Sequence, residues 1–135
     1  MYEGTIQFIT QDKRGNDKPV KEQFILEHCE SFSDAEAQLF DYGSSLTEID
    51  VVAVKRSKLK EIANERTNED EKIFLATLVD IFLNDDGTEK EIKYTIAFYS
   101  KDMNAAHAYI SQYASQGYNM SVTKIVESKF VDVLK

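Results

Sequence analysis

The densest run of one kind of charge in the sequence is Lys55-Arg56-Ser57-Lys58-Leu59-Lys60. On a single strand, Arg56, Lys58 and Lys60 would alternate onto one face, a spacing that can grip a phosphate or an acidic partner. Lysines along an edge strand also block edge-to-edge aggregation, which accounts for such a run without any ligand. A matching stretch, Val126 to Val131, keeps one of these cations, Lys129. The second feature is aromatic. Tyr42, Tyr94, Tyr99, Tyr109, Tyr113 and Tyr118 crowd toward the second half. A phenol joins an apolar ring to a polar tip, which suits interfaces and base stacking as well as helix-to-sheet packing. The candidate ligand- or partner-binding residues are Arg56, Lys58, Lys60, Lys129, Tyr42 and Tyr113.

Catalytic and metal-binding signals are weaker. His28-Cys29 is the first place to seek a nucleophile, but neighbours on a strand point to opposite faces and cannot easily pair. The expectation is a small buried Cys29 and a surface His28. No HxxxH or HxH occurs, so no histidine metal site is expected. Asp85-Asp86-Gly87 lacks the alternating ligands and terminal Glu of a calcium loop and reads as a turn. The five glycines never cluster into a phosphate loop. No cofactor is implied, and the expectation is a protein that is not an enzyme.

The elements that must carry these residues emerge from an internal repeat. Shifted by 72 positions, Thr5, Ile9, Gly15, Lys18 and Lys21 meet Thr77, Ile81, Gly87, Lys90 and Lys93. Shifted by 71, Ala35, Ala37, Leu39, Tyr42, Val51 and Val54 meet Ala106, Ala108, Ile110, Tyr113, Val122 and Ile125. The run Ser57–Ile62 meets Ser128–Val133 without a gap. Glycines of turns, alanines of helices and valines of strands thus recur in one order, as an internal duplication requires.

Each copy reads as strand, strand, helix, strand. In the first, Ile6 and Phe8 alternate with polar neighbours, and Asp12 to Asp17 is a hairpin turn around Gly15. Val20 to Glu27 is the return strand, with Pro19 suited to a strand start or edge. Ser33 stands as N-cap with Glu36 at the capping-box position, and the helix runs Asp34–Tyr42 to a stop at Gly43. Ile49–Lys55 is the third strand, and Ser57–Ile62 an extended tail. In the second, Ile73–Leu83 is apolar enough for a central strand. Asn84 to Gly87 turns, and Ile92–Tyr99 returns. Asn104 caps a helix with a Met103, Ala106, Ile110, Tyr113 stripe, and Ser121–Val126 follows. The domain reading is a first unit at 1–62, a linker at 63–71 and a second unit at 72–135, forming one duplicated domain. The fold class expected is α+β, an antiparallel or mixed sheet with two helices packed on it around a shared core, the alternative being two separate small lobes.

Composition sets the outer bounds. The chain has 135 residues, 42% hydrophobic and 30% charged, ordinary for a globular protein. Its formal charge is −8, shared evenly between the halves, which disfavours general binding to nucleic-acid backbones. Cys29 is the only cysteine, so neither an intrachain disulfide nor a multi-cysteine zinc site can form. The N-terminal residues carry no leader pattern, and no stretch is apolar enough for a membrane span. A reducing cytoplasm is the expected compartment.

Three stretches together resemble a known family: Phe32-Ser33-Asp34-Ala35-Glu36-Ala37, Val51-Val52-Ala53-Val54-Lys55-Arg56-Ser57-Lys58, and Ile125 to Val133. They resemble the family called domain of unknown function 4494, over nearly the whole chain. The resemblance implies a setting in Bacteroidota and in their phages and mobile elements, with the host cytoplasm as location. It carries over no catalytic residue. The functional expectation is a non-catalytic binding or accessory protein, homo-oligomeric, that sequesters a nucleotide-type ligand or blocks a host protein. One alternative is a structural or assembly component of a phage or mobile element. The others are a small hydrolase or transferase with a site between the repeats, and an acidic mimic of nucleic acid.

Overall fold

A computed structural model describes residues 1–117 and 119–135, so Tyr118 lies outside the described residues. The protein is α+β, with two helices and eight strands in two mixed sheets. It divides into two compact units. One comprises Met1–Ser57 with Lys129–Lys135, the other Lys58–Ser128. In place of one sheet carrying both helices, each unit has its own four-stranded sheet, its own helix and its own buried cluster. The physical reason is width: the apolar face of each sheet is filled by a single helix, and each helix buries one stripe.

In the first unit, β1 (Tyr2–Gln11) and β2 (Asp17–Leu26) form an unslipped hairpin, from Tyr2 opposite Leu26 to Gln11 opposite Asp17. The turn follows from its residues. Gly15 donates its N–H to the Asp12 carbonyl at φ +80, and Asp12 donates to the Asn16 carbonyl. That is a three-residue loop with glycine at the left-handed position. The Asp12 carboxylate accepts from the backbone N–H groups of Arg14 and Asn16. α1 (Phe32–Tyr42) then crosses the sheet, and β3 (Thr47–Arg56) pairs antiparallel with β1. Tyr2, Ile6, Phe24, Leu26, Ala35 and Leu39 form the core. Gly4 lies on the same face, where a Cβ would stand 2.4 Å from Leu39 Cδ1, so the missing side chain lets the helix close on β1.

The second unit repeats this order. β5 (Lys72–Leu83) and β6 (Glu89–Ser100) form the hairpin, α2 (Met103–Ser115) crosses, and β7 (Met120–Glu127) pairs antiparallel with β5. β5 is central in its sheet, as its apolar sequence suggests. Phe74, Ala76, Leu78, Ile96, Phe98, Ala106 and Ile110 form the core. Matching irregularities sit at matching places. An extra residue, Val52 or Thr123, interrupts the pairing of the third strand with the first. Glu48 and Asn119, offset by 71, both adopt left-handed backbone, with φ of 52 and 56.

The fourth strand of each sheet comes from the tail of the other half. β4 (Leu59–Ile62) follows β3 in sequence but runs parallel to β6. β8 (Phe130–Leu134) follows β7 but runs parallel to β2. The sheet orders are therefore β3-β1-β2-β8 and β4-β6-β5-β7. The crossovers occur just after Ser57 and Ser128, which donate their N–H groups to the carbonyls of Met1 and Ile73. Pro19 falls on a stretch of β2 with no partner on its second side, because β8 pairs only from Gln23 onward.

Both helices begin two residues earlier than the sequence suggests. Ser31, not Ser33, is the N-cap, with its hydroxyl accepting from Asp34 N–H at 3.1 Å. Asp102, not Asn104, caps α2, accepting from Ala105 N–H at 2.8 Å. Ser33 and Asn104 sit inside the first turn, where a cap-forming side chain has no role. Gly43 does end α1, but at φ −88 rather than in the left-handed region. A Cβ here would stand 1.6 Å from Ile49 Cδ1, so a larger residue would need the Ile49 side chain to turn away.

The segment 63–71 is built rather than loose. Ala63 donates to the Ala97 carbonyl, and the Asn64 amide brackets Tyr99, accepting its N–H at 2.7 Å and donating to its carbonyl at 3.0 Å. One side chain thus extends β4 along β6 by a residue. Farther on, the Glu71 carboxylate accepts from Thr67 N–H, Thr67 hydroxyl and Asn68 N–H, which holds it below the usual carboxylate range. Among the described residues, no helix is long and apolar enough to cross a membrane.

Two stability predictions follow from these contacts. Asn64→Ala removes both bonds to the largely buried Tyr99 backbone and should cost about 1–3 kcal/mol in urea unfolding. Glu48→Gly relieves a left-handed residue and should stabilise by up to about 1 kcal/mol in the same assay.

Candidate functional site

The densest gathering of polar and aromatic side chains lies on the second unit, where β4, β6 and α2 meet. Its geometry begins with an irregularity in β4. Leu59 pairs with Thr95 and Ile62 with Ala97, so Lys60 and Glu61 together span one residue of β6. A bulge of this kind turns two successive side chains toward one face. Lys60 Nζ stands 4.0 Å from the centre of the Tyr94 ring, a cation–π contact. The Glu61 carboxylate accepts a hydrogen bond from the Tyr113 hydroxyl.

α2 supplies the remaining groups by its spacing. Tyr109, Gln112, Tyr113 and Gln116 recur at three and four residues, and they line a shallow hollow of about 200 Å³. Tyr109 stacks on Phe98 with ring centres 5.0 Å apart, and Phe98 lies 6.0 Å from Phe74. The aromatic surface is therefore continuous with the core beneath it. The Tyr94 hydroxyl donates to Asp80 Oδ2 at 3.2 Å, with Met120 Sδ at 3.7 Å.

Electrostatics keep all three phenols protonated. Burial raises Tyr113 well above the usual phenol range, reinforced by the hydrogen bond to Glu61, by that carboxylate's charge, and by Tyr94 and Tyr109. Tyr94 is raised by burial, then by Asp80 and Glu61. Tyr109 is raised by burial and Glu61. Chemically, the cluster offers phenol rings, glutamine amides, two carboxylates already engaged by Tyr94 and Tyr113, and one ammonium on an aromatic platform. It has the makings of a recognition surface rather than of a proton-transfer site.

The first unit carries a sparer version. Tyr42 ends α1 as Tyr113 nearly ends α2, and its ring lies 4.7 Å from Phe24. Burial raises its phenol, with Glu22 and Asp132 adding to the effect. Asp132 lies on β8, directly opposite Phe24. A helix tyrosine facing an acid on the fourth strand is thus common to both units.

The sequence-proposed residues fall on both units. Lys60 and Tyr113 come together in the second unit. Arg56 ends β3 opposite Tyr2, and the strand breaks at Ser57-Lys58 before β4 starts. The premise that Arg56, Lys58 and Lys60 share one strand face therefore fails. Lys129 precedes β8 in the first unit, with Tyr42 on α1. Lys55 faces Glu3 at 3.7 Å. Glu61, Tyr94, Asp80 and Gln112 escaped the sequence reading as site residues, although Glu61 and Asp132 already matched at the 71-residue offset.

His28 and Cys29 occupy the loop after β2 rather than a strand. The Cys29 thiol donates to Gln38 Oε1 at 3.0 Å, and Gln38 Nε2 donates to the Lys135 carbonyl. Burial and nearby Asp34 raise the thiol, partly offset by the N-terminal charge, which makes it a poor nucleophile. Among the described residues, no group of three or more His, Cys, Asp or Glu side chains could hold a metal ion.

Tyr113 gives the site a testable pH dependence. Its folded-state pKa is raised above the ordinary 10.0, so its contribution is complete below that value and is lost as pH climbs through the folded one. Unfolding free energy should fall from about pH 10 upward, and Tyr113→Phe should flatten that alkaline limb. Denaturant titrations between pH 8 and 12 check this.

Comparison with known proteins bears on the whole chain. No curated protein and no solved structure matches it. The family model described as "Domain of unknown function (DUF4494)" matches residues 1–135, and the chain belongs to that family.

Proposed function

We propose that the protein is a non-catalytic binding module that receives a protein partner on the tyrosine face of its second unit. One observation carries this reading: Tyr109, Gln112, Tyr113 and Gln116 share one face of α2 over a hollow, with Tyr109 stacked on the core ring of Phe98. The raised phenols of Tyr94, Tyr109 and Tyr113 fit binding better than proton transfer. Tyrosines set over the aromatic rings of the core match the aromatic enrichment of protein–protein contact surfaces. The setting that goes with this reading is the cytoplasm of Bacteroidota, with their phages and mobile elements, and the action is to occupy and block a host protein.

Sequestration of a nucleotide-type ligand is the second reading. It is favoured by Lys60 beside the Tyr94 ring, which places a cation and a stacking surface together. The hollow on α2 is small for a whole nucleotide, since ligand pockets usually span roughly 300–1,000 Å³.

The test is affinity capture from host lysate, with native mass spectrometry of the eluate, for wild type and for Tyr109→Ala/Gln112→Ala. A retained host protein whose binding drops at least about tenfold in the variant supports the module. Equal retention by a folded variant sinks it. A bound mass of nucleotide size that Lys60→Ala abolishes favours the second reading.

A further inference from the structure

The two hairpins occupy matching positions, yet their ends differ in a directed way. Beyond Asp80 and Thr95, β5 and β6 continue without β7 and β4, as a bare two-stranded ribbon. That ribbon exposes Phe82, Leu83 and Ile92 at 49%, 74% and 40%. Its first-unit counterparts, at the 72-residue offset, are Thr10, Gln11 and Val20. The same fold therefore closes without large apolar groups at two of these three places, so packing does not account for Phe82 and Leu83. The turn charges are inverted as well. Asp85 and Asp86 cap the second hairpin where Lys13 and Arg14 cap the first, and all four are exposed.

Near the turn of the first hairpin, a cleft of about 450 Å³ is lined by Phe8, Ile9 and Leu46, and by the polar Gln11, Asp17 and Ser45 among others. Its volume lies in the range of sites that take up whole ligands. Phe8, Ile9 and Leu46 give the lining an apolar part among its polar side chains, and the Lys13-Arg14 turn sits beside it in the chain. Asp17 lines the cleft, and Lys90, opposite Phe82 in the β5–β6 ladder, supplies its complement.

We infer that the β5–β6 hairpin end is a prong for the β1–β2 cleft of a second copy of this chain. Phe82 enters the cleft with Lys90, its cross-strand neighbour on the same face, meeting Asp17, while Asp85 and Asp86 meet Lys13 and Arg14. Prong and cleft are different surfaces, so a single contact is heterologous and leaves one prong and one cleft over, unless a reciprocal second contact closes a two-fold dimer. Such contacts propagate head to tail, into rings where the rotation closes and into filaments where it does not. The surface is separate from the tyrosine face, so this inference stands apart from the partner reading above.

The experiment is sedimentation of the full chain across protein and salt concentration, with two exposed-residue variants whose folding is checked by circular dichroism. Wild type should exceed monomer mass as concentration rises and return toward it in high salt. Phe82→Ser/Leu83→Ser and Lys13→Glu/Arg14→Glu should each weaken association at least about tenfold. Mixed one to one, they should recover a dimer and stop there, because each retains only one good surface. A wild type that stays monomeric at every concentration overturns the inference. So does a variant that assembles as wild type does, or a mixture that stays monomeric.

Discussion

A two-stranded hairpin has two edges, and unpaired edges are a liability in water. Both sheets here depend on how that constraint is met. The third strand of each half covers one edge of its own hairpin. The other edge is covered by a strand from the opposite half, β8 on β2 and β4 on β6. Much else follows from this exchange. The acids that face the helix tyrosines, Asp132 and Glu61, arrive on exchanged strands. The Ser57 and Ser128 contacts fix where the chain leaves one sheet for the other. Asn64 extends β4 along β6 by a residue.

The recurrent sequence made much of the local structure legible. Periodicity marked every strand of the hairpins and both helix stripes, and Gly15 and Gly87 marked the turns they form. Cap positions were less legible, because Ser31 and Ser33 are equally good cap residues and only the register of α1 on its sheet selects between them. The same ambiguity placed the second cap at Asn104 instead of Asp102. The destination of the tail strands was not legible at all. Four or five residues such as Leu59-Lys60-Glu61-Ile62 suit either hairpin edge, and the choice depends on long-range pairing that no local pattern encodes.

The candidate site shows the same division. Tyr113 and Lys60 were visible as residue types with chemical use, but their shared neighbour Glu61 acquires meaning only when the β4 bulge turns it beside Lys60. Arg56 and Lys58 looked equivalent to Lys60 in a straight strand. The break at Ser57-Lys58 removes that equivalence. A basic run that reads as one surface is in fact divided between two sheets, and the tyrosines, with the acids that hold them, are what the fold gathers.

The strand exchange also fixes an order of assembly on the ribosome. The second unit is one unbroken stretch, Lys58–Ser128, whereas the first is split between Met1–Ser57 and Lys129–Lys135. Residues synthesised first are therefore completed last. The β2 edge stays open through translation of more than a hundred further residues, until β8 emerges to cover it. Pairing over so long a separation is slow. Pro19 and the lysines at 18 and 21, on the part of β2 that never gains a second neighbour, temper the stickiness of that edge during the wait.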